Sequence, residues 1–167
     1  MYDIIIIRHD QLPDYLLNEI IKVKTVAWPF CYDSQKKWIK INLKDTDLHL
    51  LLTKDKEILA YLNLIEIEVI IDSNHFDGYG IGNVCAIQKG KGIGTELIKR
   101  VNKFIIEERK VGLLFCKPNL HYFYVKSGWT VVSKEQVALS FEYNNIETLI
   151  FNFNLPFQQL IYKGQAF

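Results

Sequence analysis

The strongest constraint on the fold of this chain is a cluster of glycines set between an apolar strand and an amphipathic helix. Tyr79 to Ile87 reads as a strand, and Gln88-Lys89-Gly90-Lys91-Gly92-Ile93-Gly94 follows it. A helix is predicted from about Thr95 to Lys110, with Leu97, Ile98, Val101, Phe104 and Ile105 on one stripe. Val111 to Cys116 is then a second apolar strand. Such a strand–helix–strand unit implies a parallel, right-handed crossover. The first turn of a helix carries N–H groups without helical partners and the positive end of its dipole. Glycines open those groups to close approach, and Lys89 and Lys91 place positive charge beside them. The chemistry implied is capture of a phosphate or pyrophosphate; the plainer alternative is a tight turn and nothing more. Two other phosphate motifs are excluded. A P-loop needs glycine and Ser/Thr where Cys85 and Gly92 stand. A dinucleotide fingerprint needs G-x-G-x-x-G near the first strand and an acid about 20 residues on, whereas here the spacing is G-x-G-x-G, deep in the chain, and no acid ends Val111 to Cys116.

Around this unit the remaining elements follow from period and punctuation. Tyr2 to Arg8 is a β-branched run typical of a buried strand. Pro13 and Asp14 open a helix carrying Leu16, Leu17, Ile20, Ile21 and Val23, which ends before Pro29. Phe30 to Asp47 has no clear period and reads as loop or short helix. Leu48 to Thr53, a turn at Lys54-Asp55-Lys56-Glu57 and a long arm from Ile58 to Asp72 form an antiparallel hairpin. In the long arm Ile65, Ile67, Val69 and Ile71 face one way, Glu66 and Glu68 the other. Ser73 to Gly78 reads as a loop, and Gly80 and Gly82 in the next strand suggest a bulge or a close backbone approach. After Pro118 and Asn119 a short helix is predicted from His121 to Ser127, closed by Gly128. Trp129 to Val132 and Thr148 to Leu155 are the last two strands expected. With no repeat, charge block or linker, one domain is expected over residues 1–167.

Composition narrows the function classes. Of 167 residues, 49% are hydrophobic and 23% charged, which fits a globular domain, and the net charge of +1 gives no reason to expect a nucleic-acid or membrane-surface partner. No apolar run approaches the ~18 residues of a membrane span, and the first residues lack a leader's basic region and cleavage site. Cys31, Cys85 and Cys116 are widely spaced and odd in number, which argues against a disulfide framework or zinc cluster and suits the cytoplasm. Four scattered histidines give no metal-ligand spacing, so no metal is expected.

Lys89-Gly90-Lys91-Gly92-Ile93-Gly94-Thr95 resembles the acetyl-CoA pyrophosphate loop of the GNAT superfamily of N-acetyltransferases, whose pattern is Gln/Arg-x-x-Gly-x-Gly/Ala. Lys89 stands in the pattern's first place here, with Gln88 one residue early, a change the main-chain donors survive. The run from Asn119 through Phe123-Tyr124-Val125-Lys126-Ser127-Gly128-Trp129 is similar to a second segment of that family, and the two lie in the family's order. The resemblance implies an α/β (α+β) fold: a mixed, mostly antiparallel sheet splayed at a central parallel strand pair and flanked by helices.

It also implies roles. Acetyl-CoA would be the co-substrate and a small amine the acceptor, with no nucleic acid or membrane partner. Lys89 to Thr95 (Lys89, Gly90, Lys91, Gly92, Ile93, Gly94 and Thr95) would hold the pyrophosphate. The backbone of Val84, Cys85 and Ala86 would run beside the pantetheine arm, with Gly80 and Gly82 marking the splay. Asn119 would contact the cofactor or brace the next helix, and Tyr124 would protonate the CoA sulfur, since a phenol keeps its proton at neutral pH. Apart from the resemblance, Tyr124 reads as a core aromatic; Tyr122 is the weaker candidate for its role. For the base, Glu66, Glu68, His75, Asp77 and Asp33 all remain open. A Cys116–His121 thiolate–imidazole pair is conceivable, but burial of Cys116 is the favoured reading. Within the family the chain looks nearest the aminoglycoside 2′-N-acetyltransferases, whose Gly-x-x-aromatic terminus is faintly echoed by residues 163–167. A non-catalytic acyl-CoA-binding or regulatory module on the same fold is the alternative function.

Overall fold

The computed structural model describes residues 1–142, 144–154 and 156–167. Nine strands and four α-helices are formed among them: β1 Asp3–Arg8, α1 Asp14–Ala27, α2 Tyr32–Asn42, β2 Leu48–Lys54, β3 Glu57–Ile71, β4 Asn74–Ala86, α3 Ile93–Glu107, β5 Val111–Cys116, α4 His121–Val125, β6 Thr130–Val132, β7 Val137–Leu139, β8 Glu147–Phe151 and β9 Leu160–Tyr162. The sheet is mixed and mostly antiparallel, with β4 and β5 parallel as the crossover reading requires.

Contacts divide the chain into two compact units, residues 1–65 with 82–100 and residues 66–81 with 101–167. β3, β4 and α3 each contribute to both. In the first unit β1 pairs with β2 from Asp3↔Thr53 to Arg8↔Leu48, and β2 pairs with β3 across a tight turn that leaves only Asp55 and Lys56 unpaired. Both turn residues have positive φ, 52° and 69°, the twist that a two-residue hairpin needs. The first residues of α1 follow Pro13, and its buried face (Leu16, Ile20, Ile21, Val23) packs with Ile39, Leu43, Leu51, Tyr61 and Cys85. Burial of each large aliphatic side chain in such a cluster contributes about 1.5–3 kcal/mol.

In the second unit β4 pairs with β5 at Gly78↔Val111, Tyr79↔Gly112 and Gly80↔Leu113. β5 pairs with β8, and β8 with β6, both antiparallel. β9 adds to β3 at Ile70↔Ile161 and Ile71↔Leu160 and carries β7 beside it in parallel. Val69, Ile71, Val111, Leu113, Val132, Ile150, Leu160 and Tyr162 form this unit's core.

Several elements differ from expectation. The segment Ser73 to Gly78 is strand rather than loop, because Asp72 and Ser73 (φ 45° and 68°) reverse the chain in two residues and β4 begins at Asn74. The Asp72 carboxylate accepts from the amides of Gln158 and Gln159, both at 2.9 Å, which anchors that turn. α2 is a full helix within the segment from Phe30 to Asp47, burying only Gln35 and Ile39, too few positions to give a periodic signal. β7 and β9 were not expected; each is three residues long and stabilised by pairing rather than pattern. β8 starts one residue earlier than predicted and stops at Phe151, where Asn152 turns to φ 59°. Leu155, the predicted end of that strand, lies outside the described residues. No helix among the described residues is long and apolar enough to cross a membrane.

The first unit's core is not purely apolar. His9 Nδ1 lies 3.0 Å from His49 Nε2, and His49 Nδ1 lies 2.8 Å from the hydroxyl of Tyr61; His49 and Tyr61 are fully buried. Burial drives His49 down to about 3, with His9 and Lys24 adding to the shift, so it is a neutral bridging group. Lys24 is 2% exposed, its ammonium 4.3 Å over the Trp38 ring. Burial lowers its pKa from the usual 10.5 to about 8, against the opposing influence of Cys85. The folded chain therefore holds this proton more weakly than the unfolded chain. Between about pH 8 and 10.5 the unfolded state binds more protons, so stability should rise with pH across that window. Lys24→Met should abolish the rise and stabilise the protein at pH 7 by roughly 1–3 kcal/mol, checked by denaturant titrations at pH 7 and pH 10.

Candidate functional site

The turn from β4 into α3 has the predicted strand–glycine–helix form. Gly90 and Gly92 both adopt φ +75°, and a Cβ built at either would meet nothing within 4 Å. The glycines therefore serve the backbone conformation and leave open space in front of it, as an oxygen anion approaching the amides would need. Glu96 N–H donates to the Gly92 carbonyl at 3.0 Å. The amides of Ile93, Gly94 and Thr95 precede that bond and have no partner within the helix. Lys89, Lys91 and Thr95 are exposed at the same turn. On the turn's flank, Gln88, Lys91 and Ile93 line an open cavity of about 410 Å³ together with Lys54 and Glu57.

Upstream on β4, Asn83 sits at φ +53° inside the strand, and its side-chain amide donates to Asn63 Oδ1 at 2.7 Å. Asn63 is fully buried, and its own Nδ2 has no partner. In the stretch that follows, Val84 and Ala86 are half-buried and Cys85 is buried. Burial raises the Cys85 thiol to about 12 despite the pull of Lys24, so it is an inert thiol. The sequence reading offers a bulge or a close approach at Gly80 and Gly82. At Gly80 the close approach is by a side chain, the ring of Phe167, whose Cε1 would lie 2.4 Å from an added Cβ.

The second unit carries the tyrosine segment. Asn119 is exposed in a 3-10 turn ahead of α4. Tyr124 is 7% exposed, whereas Tyr122 is 65% exposed under the ammonium of Lys126, 5.2 Å from its ring centroid. Burial, with Cys116 adding to it, pushes the Tyr124 phenol well above the usual value, so it is protonated throughout the neutral range. A network missed in the sequence holds this helix. Trp129 Nε1 donates to Asn102 Oδ1 at 2.9 Å, and Asn102 Nδ2 donates to the Ser127 carbonyl at 2.7 Å. The Trp129 ring lies against Gly112 of β5, where an added Cβ would be 2.6 Å from it. Asn102 sits beside the apolar stripe of α3, so only its partners reveal its role.

Four candidate bases converge in the second unit. Glu66, Glu68 and Asp77 line a cleft of about 360 Å³ with Lys110, and His75 Nδ1 lies 2.9 Å from Glu68 Oε1. Lys110 is 3.3 Å from Glu66 and 4.2 Å from the Tyr79 ring centroid. The glutamates face away from the Ile67, Val69 and Ile71 core side of β3, as the alternation predicts. Asp33 is exposed in the first turn of α2, in the first unit. Cys116 is buried at the end of β5, as the favoured sequence reading has it. His121 Nδ1 is 2.7 Å from Glu147 Oε2, and burial first, then Glu147, raises the Cys116 thiol to about 11. Among the described residues, no group of three or more His, Cys, Asp and Glu is placed to hold a metal ion.

These arrangements separate backbone from side-chain roles in a way that thermal unfolding can resolve. Gly92→Ala should cost about 1 kcal/mol through its positive φ alone. Asn102→Ala should cost about 1–3 kcal/mol, because it leaves the buried Trp129 N–H unpaired.

Comparison with known proteins sets this geometry in context. No protein-family model matches the chain, and no curated protein is significantly similar to it in sequence. Solved structures do match. An acyl-CoA N-acyltransferase from Pseudomonas aeruginosa superposes with a TM-score of 0.66 at 18% identity, over 90% of this chain and 99% of that one. ElaA from Escherichia coli gives 0.64 at 18% identity, over 91% and 100%. A GNAT family acetyltransferase from Brucella melitensis, in complex with acetyl-CoA, gives 0.58 at 19% identity, over 96% of both chains. A mixed sheet with a parallel β4–β5 pair, a glycine turn leading into α3 and near-complete coverage by these structures identify the fold of this chain as that of the GNAT superfamily of N-acetyltransferases.

Proposed function

We propose that the chain is an N-acetyltransferase that moves the acetyl group of acetyl-CoA to the primary amine of a small acceptor. The observation that carries this reading is the open turn at Gly90 and Gly92, whose two left-handed residues present the first amides of α3 without steric cover. A pyrophosphate is the anion such a turn fits, with Lys89 and Lys91 adding charge. The left-handed Asn83 ahead of Val84–Ala86 supports the second part, in which a main-chain N–H of that stretch polarises the thioester carbonyl. The GNAT structure solved with acetyl-CoA is consistent with the choice of thioester.

The reaction follows from these parts. A neutral amine attacks the thioester carbon, and negative charge develops on the carbonyl oxygen, where the backbone donor acts. Collapse of the tetrahedral intermediate breaks the carbon–sulfur bond, and the Tyr124 hydroxyl gives its proton to the departing thiolate. The raised pKa of Tyr124 ensures that this proton is present at neutral pH. The acceptor ammonium must first lose a proton, for which Glu66, Glu68, His75 and Asp77 are the gathered candidates. Three free cysteines suit a reducing compartment, and we assign the enzyme to the cytoplasm on that ground.

Acetyl-CoA should bind in calorimetry, and the Gly90→Ala/Gly92→Ala double variant should bind it at least about tenfold more weakly, since side chains then crowd the amides. Absence of binding at millimolar acetyl-CoA would reject the proposal. Tyr124→Phe should lower thiol release by about 10²–10⁴-fold with little change in acetyl-CoA affinity. An unchanged rate would remove Tyr124 from the mechanism. Binding with no thiol release for any amine would leave a non-catalytic acyl-CoA-binding module.

A further inference from the structure

Asn63 is a polar residue in a position suited to an apolar one. It stands in β3 within the run Leu59-Ala60-Tyr61-Leu62-Asn63-Leu64, every member of which is buried, and it is itself 0% exposed. Its Nδ2 has no partner, and an unpaired donor in such a place lowers stability. Packing gives no reason for asparagine here, because leucine has the same branched skeleton and would leave no donor unpaired. The bond that the side chain does make reaches across to β4, where Asn83 Nδ2 donates to Asn63 Oδ1 at 2.7 Å.

Asn83 departs from its surroundings too. Among the described residues, the other non-glycine positions with positive φ (Asp55, Lys56, Asp72, Ser73, Arg109, Asn145 and Asn152) lie between elements, whereas Asn83, at φ 53°, is inside a strand. Asparagine tolerates that region better than most residues with a Cβ, yet still against a penalty, so it needs support from outside its own backbone. Two neighbouring residues thus each carry an unfavourable feature, and one hydrogen bond joins them. Local preferences broken together in this way point to function rather than to folding.

What the pair governs is the start of Val84–Ala86. A left-handed residue rotates the peptide that follows it out of the orientation it would have in an extended strand. The far end of the stretch is tied as well, since Ile87 N–H donates to the Leu59 carbonyl at 2.9 Å. Both anchors, Asn63 and Leu59, belong to β3, so the three residues between them are held against a single strand of the same unit.

We infer that Asn63 is a positioning residue for the transfer: its hydrogen bond keeps Asn83 left-handed and so sets the direction of the main-chain N–H in Val84–Ala86 that polarises the thioester carbonyl. The inference rests on the acetyltransferase reading above. Asn63 touches neither thioester nor acceptor and acts through Asn83. A donor fixed in direction needs no reorientation as negative charge builds on the carbonyl oxygen, which is what makes such a donor effective. The orphaned Nδ2 follows from the same role, because a residue kept for its acceptor oxygen brings with it a donor that the apolar surroundings cannot satisfy.

The test uses the full chain and acetyl-CoA isotopically labelled at the acetyl carbonyl, so the first readout needs no acceptor. Infrared difference spectra of the wild-type complex should show the carbonyl stretch below its frequency in free acetyl-CoA. Asn63→Leu should return the band toward the free position, with acetyl-CoA affinity within about threefold of wild type and no fall in the thermal midpoint. With an amine that supports thiol release, its kcat should drop by about 10–10²-fold. A merely structural asparagine would do the reverse, lowering the midpoint and leaving the band in place. Asn83 is half-buried, and its variants serve if Asn63→Leu folds poorly. Asn83→Ala should move the band as Asn63→Leu does, and adding Asn63→Leu to it should change nothing further. Asn83→Gly should keep most of the wild-type shift, because glycine adopts positive φ unaided. A wild-type band and rate in Asn63→Leu, equal effects of Asn83→Ala and Asn83→Gly, or a wild-type band at the free position would overturn the inference alone. A wild type that fails to bind acetyl-CoA at millimolar concentration would overturn the acetyltransferase reading, and this inference with it.

Discussion

The reversal from β4 into α3 is the constraint from which the rest of the chain's chemistry follows. Between Ala86 and Ile93 the backbone must end a strand and start a helix, and it takes φ +75° at two positions to do so. Residues bearing a Cβ adopt that region at a cost of about 1–2 kcal/mol each, so glycine is needed at both. The same absence of side chains exposes the first amides of α3. One backbone requirement thus serves the crossover, which sends β5 back parallel to β4, and leaves the first amides of α3 uncovered.

Each unit also buries polar groups that an apolar core would do without. In the first unit, His9, His49 and Tyr61 form a continuous chain, and Lys24 lies above Trp38 with its proton held weakly. In the second, Trp129, Asn102 and Ser127 tie the end of α4 to α3, while His121 and Glu147 tie its start to β8. Hydrogen bonding of buried polar atoms returns little net stability, but their directionality permits few alternative packings. A helix as short as α4 has little stability of its own, so its two anchored ends set the direction of Tyr124.

Much of this was legible from the residues. The hairpin of β2 and β3, the span of α1, the helix stripe of α3 and both ends of β5 follow from period and from Pro, Gly and charged punctuation. The glycine turn was legible too, because a backbone demand leaves glycine as its mark. Short strands such as β7 and β9 were not, since three residues carry no period and owe their conformation to a partner distant in sequence. Asn83 looked like an ordinary strand residue, and nothing beside it in the sequence marks the positive φ that it adopts. Only packing shows that Gly80 makes room for Phe167.

The candidate site divides along the same line. The sequence by itself determined where the glycine turn lies and that a helix follows it, because a backbone conformation that only glycine adopts cheaply is a local property of the chain. Tertiary structure alone decided that Glu66, Glu68, His75 and Asp77 share one neighbourhood, that His121 lies against Glu147, and that Tyr124 is buried while Tyr122 is not. Those outcomes depend on side chains brought together by strand register across tens of residues, and a register is set by the packing of whole faces, not by any one residue in it.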